Sequence, residues 1–285
     1  MDLDKYEALI LDCDGVLWKG PNQIPGSFEA LQRLHATGKK IFFLTNNPAK
    51  TPEDVIEWMQ RFGYEASPRQ IYCSGMAVGS YLKIHYPLTN KIYLIGSEQF
   101  RSQLTRQGFQ VWHAVDFQNY RLSADDLERL VSDYPIDAVV VGHDTRFTYM
   151  SSVYGAVFIQ NGAKFLAASD DPYFVMEKGN NIPGCGTLTT FMETATQMKV
   201  EVVGKPKTFM LDLILQDNNL SKEKIIMIGD SMSTDIRMGH NACIDTLLVL
   251  SGTSSREDLP NYEYSPTFIY PDLQSVVAAD YIMLN

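Results

Sequence analysis

The chain has 285 residues, enough for two domains, since single hydrophobic cores stop growing near this length. Its 45% hydrophobic and 20% charged residues are the balance of a packed globular protein and exclude a disordered one. With 24 Lys and Arg against 34 Asp and Glu, the formal charge is −10 and no basic run offsets it, which sets nucleic-acid partners aside and requires any phosphate site to make its own positive potential from a metal ion, a lysine or backbone N–H groups.

Short apolar runs alternate with helical patterns, as expected of a parallel α/β sheet. ALIL, Ala8 to Leu11, predicts a buried strand ending at Asp12. Ser27 is placed to cap a helix whose Leu31 and Leu34 share a face. IFFL, Ile41 to Leu44, predicts a second strand. Thr51, Pro52 and Asp54 mark a helix start: a capping hydroxyl, a proline in the first turn and an acid three residues after the cap. Val55, Met59 and Phe62 line one face of that helix, and Gly63 stops it. Further strands are predicted from Ile92 (IYLI), Ala138 (AVVV), Lys164 (KFLAA), Ile225 (IIMI) and Thr246 (TLLVL).

Cys13, Cys73, Cys185 and Cys243 form no C-x-x-C pair and have no histidine at zinc spacing, which predicts reduced thiols in a cytoplasmic protein. MDLDKYEALI lacks the basic region and long apolar stretch of a signal peptide, and no run is long enough to span a bilayer. His35, His85, His113, His143 and His240 show no ligand or triad spacing and read as structural or surface residues.

Four motifs carry chemistry. LDCDGVLW places Asp12 and Asp14 straight after a strand, where open α/β sheets bind ligands, with Gly15 permitting a turn and a close approach; a plain Asp-Gly turn is the alternative. FLTNNP places Thr45, Asn46 and Asn47 at the end of the next strand, a hydroxyl and two amides suited to an anion's oxygens; the alternative is a capped turn. VVGKPK offers Lys205 as a point charge for phosphate, with Lys207 read as a solvated surface charge. IIMIGDSMSTDIRMG places Asp230 at a strand end and Asp235 at a helix start; both suit a hard cation, and Asp235 suits a helix-dipole role equally. Together these sets describe a phosphate-and-magnesium site at the ends of successive parallel strands.

The loaded strand ends lie before about residue 50 and after about residue 200, with a complete strand–helix series between them. Tyr86-Pro87-Leu88 and the stretch 179–184 (GNNIPG) read as crossings. The expected organisation is α/β: a Rossmann-like, doubly wound parallel-sheet core formed by residues 1–87 and 179–285, with a smaller α/β cap domain, residues 88–178, inserted in it.

DCDGV, LTNN, GKP and GDSMSTD, in that order, resemble the four motifs of the haloacid dehalogenase superfamily. The inserted segment, GKP and NNIPGCG resemble its NagD-type branch, which carries a large α/β cap after the second motif. The resemblance implies a Mg²⁺-dependent phosphatase in which Asp12 attacks phosphorus and forms an aspartyl-phosphate, and Asp14 protonates the leaving oxygen and then activates water. It implies that Thr45 and Asn46 orient the phosphoryl group, with Asn47 beside them, and that Lys205 neutralises its charge. It gives the metal to Asp12, the backbone carbonyl of Asp14 and Asp230, with Asp235 a ligand through water or an anchor. Asp14 argues for a phosphatase over a dehalogenase, which does not need this second acid.

Substrate choice is expected in the insert, where GHDTRFTY (His143 to Tyr149) follows a buried strand. Arg146 is a candidate for holding an anionic group, with Asp144 beside it, and a plain surface arginine is the equal alternative. SDDP, Ser169 to Pro172, is a second candidate loop. The implied partner is a small phosphorylated metabolite, and a homodimer through the insert is compatible with this reading. Rival readings are a phosphomutase of the same superfamily, a receiver-type signalling domain, and a retired enzyme that only binds phosphate.

Overall fold

The computed structural model describes residues 2–175 and 180–283. In chain order, the strands of its two main sheets are β1 (Ala8–Leu11), β2 (Lys40–Thr45), β3 (Ile71–Cys73), β4 (Lys91–Ile95), β5 (Gln110–Trp112), β6 (Ala138–Val141), β7 (Lys164–Ala167), β8 (Glu201–Val202), β9 (Ile225–Gly229), β10 (Asp245–Val249) and β11 (Phe268–Tyr270). They form a six-stranded sheet of order β11-β10-β9-β1-β2-β3 and a five-stranded sheet of order β8-β7-β6-β4-β5. β1 runs parallel to both β9 and β2, pairing Leu11 with Ile228 on one side and with Phe43 on the other. All four residues of β1 and all five of β9 are buried, which explains their unbroken apolar runs: a parallel strand covered on both faces has no polar side to alternate with. The α/β, doubly wound reading of the sequence stands.

The chain divides into two compact units. The first comprises Met1–Thr45, Pro52–Tyr72 and Lys205–Asn285, and the second Asn46–Thr51 and Cys73–Gly204. The crossings expected at 87/88 and 178/179 therefore differ from the observed division, and residues 178 and 179 themselves lie outside the described residues. Two features explain the difference. The helix Ser74–His85, absent from the sequence reading, packs in the second unit: Gln107 Nε2 donates to Met76 O at 3.2 Å, and the Gln107 amide fills the space beside Gly79. β8 pairs with β7, so the second unit runs on to Gly204. The stretch read as a crossing contains Asn181–Pro183, which pairs antiparallel with Tyr173–Val175.

The helix Ser27–Ala36 buries Leu31 and Leu34 as expected, but Gly26 is its N-cap and Ser27 is its first residue. The Ser27 hydroxyl donates to Leu17 O at 2.8 Å, a partner no local pattern reveals. The helix Pro52–Arg61 buries Val55 and Met59, and Gly63 follows it with φ +76°. All four cysteines are free, three of them buried and Cys243 exposed. Among the described residues no helix is long and apolar enough to cross a membrane.

Candidate active site

Three adjacent strands of the first unit, β9, β1 and β2, end in or just before Asp230, Asp12 and Thr45. Pairing extends one residue past β1, where the Asp12 N–H donates to Ile228 O at 2.9 Å and fixes that backbone at the carboxyl end of the sheet. Gly15 follows with φ +80°, and a Cβ there would stand 2.3 Å from Asp230 Oδ2. The turn read from the sequence is present, and the group that comes close is the Asp230 carboxylate, whereas the sequence reading expects a ligand there: only glycine permits this backbone to pass that carboxylate.

Lys205 is the hub of the cluster. Its ammonium lies 2.8 Å from Asp12 Oδ1 and 2.7 Å from Asp235 Oδ1, and it donates to Leu44 O at 3.1 Å. It does not follow a strand of the core sheet, as the sequence implied, because β8 belongs to the five-stranded sheet. Asp235 is fully buried and forms part of a single π-type turn, Met232–Ile236. Its Oδ2 accepts from the N–H groups of Asp230 and Ser231 at 3.2 and 3.1 Å. It therefore ties the Asp230 loop to Lys205, and a role limited to the helix dipole is set aside. Asp230 Oδ2 accepts from Thr253 N at 2.6 Å, and the Ser254 N–H donates to Asp230 O at 3.0 Å.

The loop 251–255 is missed by the sequence reading, although its Gly-Thr-Ser-Ser, residues 252–255, comes shortly after a strand and so carries a usable signal. Trp18 also went unread. Its Nε1–H donates to the exposed Asp14 carboxylate at 3.0 Å, and its ring stacks on Phe28. Nothing local in the sequence points to that contact.

Asp12, Asp230 and Asp235 present carboxylate oxygens that all lie within 4.8 Å of one another, a group that could hold a metal ion. With Lys205 these four buried side chains carry a formal charge of −2, which a divalent cation balances. Three carboxylates with no histidine or cysteine among them suit a hard ion such as Mg²⁺. Burial, opposed by Lys205 and reinforced by Asp235 and Asp230, pushes the Asp12 carboxyl well above the usual range. Burial lowers the affinity of Lys205 for its proton, but Asp12 and Asp235 together outweigh it and hold the ammonium above its ordinary value.

Burial, then the Asp235 charge, pushes Asp230 from 3.8 to about 6. Between those values the folded protein keeps a proton that the unfolded chain has released, so metal-free stability falls as pH rises through this window. A cation on the cluster removes that penalty. Mg²⁺ is therefore expected to raise the melting temperature more at pH 7 than at pH 4.5. Scanning calorimetry at both values checks this, and equal shifts would contradict it.

Asn46, Asn47, Asp144 and Arg146 belong to the second unit. The Asn46 amide donates to Asp171 Oδ2 at 3.0 Å, and Asn47 Oδ1 accepts from Ala49 N at 3.0 Å. Asp144 Oδ1 accepts from Arg146 N at 2.8 Å, closing the loop after β6, and the Arg146 guanidinium lies 3.9 Å from Glu98 with 62% of its side chain exposed. Lys207 is exposed. His113 is buried, His35 meets the Tyr64 hydroxyl, His85 packs at a tilt against Tyr81 and His240 stacks on Tyr264, which suits structural roles for these four.

A family model for haloacid dehalogenase-like hydrolases matches residues 9–110, and one for HAD-like hydrolases matches 202–276. Phosphoglycolate phosphatase 1A, chloroplastic, of Arabidopsis thaliana is 34% identical over 283 residues, spanning 98% of this chain and 77% of that protein. The acid sugar phosphatase of Staphylococcus epidermidis is 30% identical over 273 residues, spanning 96% and 97%. Among solved structures, NagD from E. coli K-12 superposes with a TM-score of 0.79 at 27% identity, covering 95% of this chain and 98% of that one.

Proposed function

We propose a finer reading on one premise, that this chain belongs to the haloacid dehalogenase-like hydrolases and is a phosphatase of their NagD-like branch. It hydrolyses small phosphomonoesters with Mg²⁺ through a phosphorylated Asp12. The observation that carries this reading is the buried Asp12–Lys205 pair, 2.8 Å apart, with Asp230 and Asp235 beside it at the carboxyl end of a parallel sheet. A carboxylate nucleophile and a fixed cation on one spot suit attack on an anionic phosphoryl group.

An Asp12 carboxylate oxygen forms a bond to phosphorus as the ester oxygen leaves, and Asp14 delivers a proton to that oxygen. The Trp18 indole N–H on the Asp14 carboxylate sets its direction. A water then attacks phosphorus, Asp14 takes its proton, phosphate departs, and the Asp12 carboxylate is restored. Lys205 holds positive charge beside the transferring group, while Thr45, Asn46 and Asn47 supply donors to its oxygens. Mg²⁺ would be held by Asp12, the backbone carbonyl of Asp14 and Asp230, and supplies positive charge that lowers the cost of crowding anionic oxygens. The two N–H groups and the ammonium on Asp235 support an anchoring role for it.

The second unit is assigned substrate selection, with Asp144 and Arg146 as binding candidates. The free cysteines support a cytoplasmic location. Phosphate release from a panel of small phosphomonoesters tests the whole reading. Turnover is expected to vanish on exhaustive chelation and return with Mg²⁺. Full turnover after chelation removes the metal from the mechanism, and an isomeric sugar phosphate in place of free phosphate makes the protein a mutase.

A further inference from the structure

We propose that Asp171 is a positioning residue that fixes the direction of the Asn46 amide, so that Asn46 presents N–H rather than C=O to a phosphoryl oxygen. The inference rests on the reading of Asn46 as a phosphate ligand. A side-chain amide is nearly symmetric in shape but opposite in chemistry at its two ends, and rotation by a half turn converts a donor into an acceptor. An acceptor facing an anion repels it. A site built on Asn46 therefore needs something that distinguishes the two orientations.

Asp171 does so. Its Oδ2 lies 3.0 Å from Asn46 Nδ2, and an ionised carboxylate only accepts. The flipped amide would set oxygen against carboxylate and lose a charge-assisted bond, the stronger class of hydrogen bond. The other end of the amide lies close to Gly204. A Cβ on Gly204 would stand 2.6 Å from Asn46 Oδ1 and 2.3 Å from Ala168 O, so Gly204, the residue before Lys205, is where the amide oxygen packs against backbone. The Ser74 hydroxyl donates to Asn46 O at 2.8 Å and holds the main chain.

Asp171 is itself held by backbone. Gly186, in the first turn of the helix Cys185–Thr196, donates its N–H to Asp171 O at 2.8 Å, and Gly184 donates to Pro172 O at 2.9 Å. A Cβ on Gly186 would stand 2.2 Å from Asp170 O, so the helix start and the SDDP loop meet at a distance only glycine permits. This gives the Gly-x-Gly of NNIPGCG a physical task. A helix end holds a loop, the loop holds Asp171, and Asp171 orients an amide 125 residues earlier in the chain.

The test is a double-mutant cycle of Asn46→Ala and Asp171→Ala, with Asp171→Asn as the isosteric control. Turnover of 4-nitrophenyl phosphate, the inhibition constant of inorganic phosphate, the Mg²⁺ needed for half-activity and the melting temperature are measured for each. Asp171→Ala is expected to lower kcat/KM by roughly 10- to 100-fold and to weaken phosphate inhibition in parallel, as for other residues that orient a ligand group. The Mg²⁺ requirement should stay unchanged, since a merely structural loss would not be confined to phosphate. Asp171→Asn can still accept from Asn46 and should fall between. In the Asn46→Ala background, Asp171→Ala should have little further effect. Full additivity of the two changes, or an Asp171→Ala variant that binds phosphate as the wild type does while Asn46→Ala does not, overturns the assignment to Asp171 alone. An Asn46→Ala variant with unchanged phosphate inhibition overturns the reading of Asn46 itself, and this assignment with it.

Discussion

Asp12→Asn is expected to lower turnover by a factor on the order of 10⁴ or more, about 5 kcal/mol or more of transition-state stabilisation, with the fold intact. The amide has the volume of the carboxylate, so the closely packed end of β1 is undisturbed. Its charge is gone, and with it the nucleophile, because an amide oxygen does not form a stable ester with phosphorus. Stability should change little. The cluster goes from a formal −2 to −1, a smaller burden to bury, while Lys205 loses one ion pair but keeps Asp235 at 2.7 Å and Leu44 O at 3.1 Å. Two further readouts separate loss of chemistry from loss of structure. The variant should melt within a few degrees of the wild type, and acid-quenched wild-type enzyme, but not the variant, should carry phosphate on the peptide containing Asp12. A variant whose mass excludes reversion to aspartate, yet which retains more than a hundredth of wild-type turnover, would falsify the assignment of Asp12.

Much of this site was legible because parallel sheets write their strand ends plainly. ALIL and IIMIG are buried on both faces, so the first carboxylate after each run marks the carboxyl end of a strand, and Asp12 and Asp230 follow directly. Lys205 was legible as a residue but not as a position, since the strand before it pairs in the other sheet and only tertiary structure brings its ammonium to Asp12. The helix Ser74–His85 was missed because Gly75 and Gly79 dilute its helical signal. Those glycines make room for the amides of Gln103 and Gln107, so packing outweighed propensity. The expected domain edges at 87/88 and 178/179 were turn-rich stretches, whereas the observed division follows which helix and strand each segment packs with. The contacts of Asp14 with Trp18 and of Asn46 with Asp171 were out of reach, since neither follows from a spacing rule.

Lys205→Met should be both inactive and unstable, and the two losses should respond differently to rescue. Methionine has a similar reach and no charge, so the variant leaves three buried carboxylates within 4.8 Å of one another with no cation among these side chains. Removing one partner of a buried ion pair costs about 3–5 kcal/mol, and here one ammonium serves two carboxylates. The remaining acids respond by holding protons. Asp12 and Asp230 are already pushed up by burial, and without the ammonium they move further in that direction. A folded-state value above the unfolded one means that the native form binds more protons, so the stability of the variant should rise as pH falls from 7 toward the ordinary carboxylate range. Mg²⁺ should restore part of the stability at pH 7, because it returns two positive charges to the cluster. It should not restore turnover, because the charge that Lys205 places beside the transferring phosphoryl group is missing, a loss on the order of 10²- to 10³-fold for one fixed electrostatic contact. The measurement is the melting temperature of wild type and variant with chelator and with Mg²⁺ at pH 5 and pH 7, paired with phosphate release at saturating Mg²⁺. A variant that melts with the wild type in chelator at pH 7 would mean that Lys205 does not balance the acidic cluster, and wild-type turnover in Mg²⁺ would remove it from the chemistry.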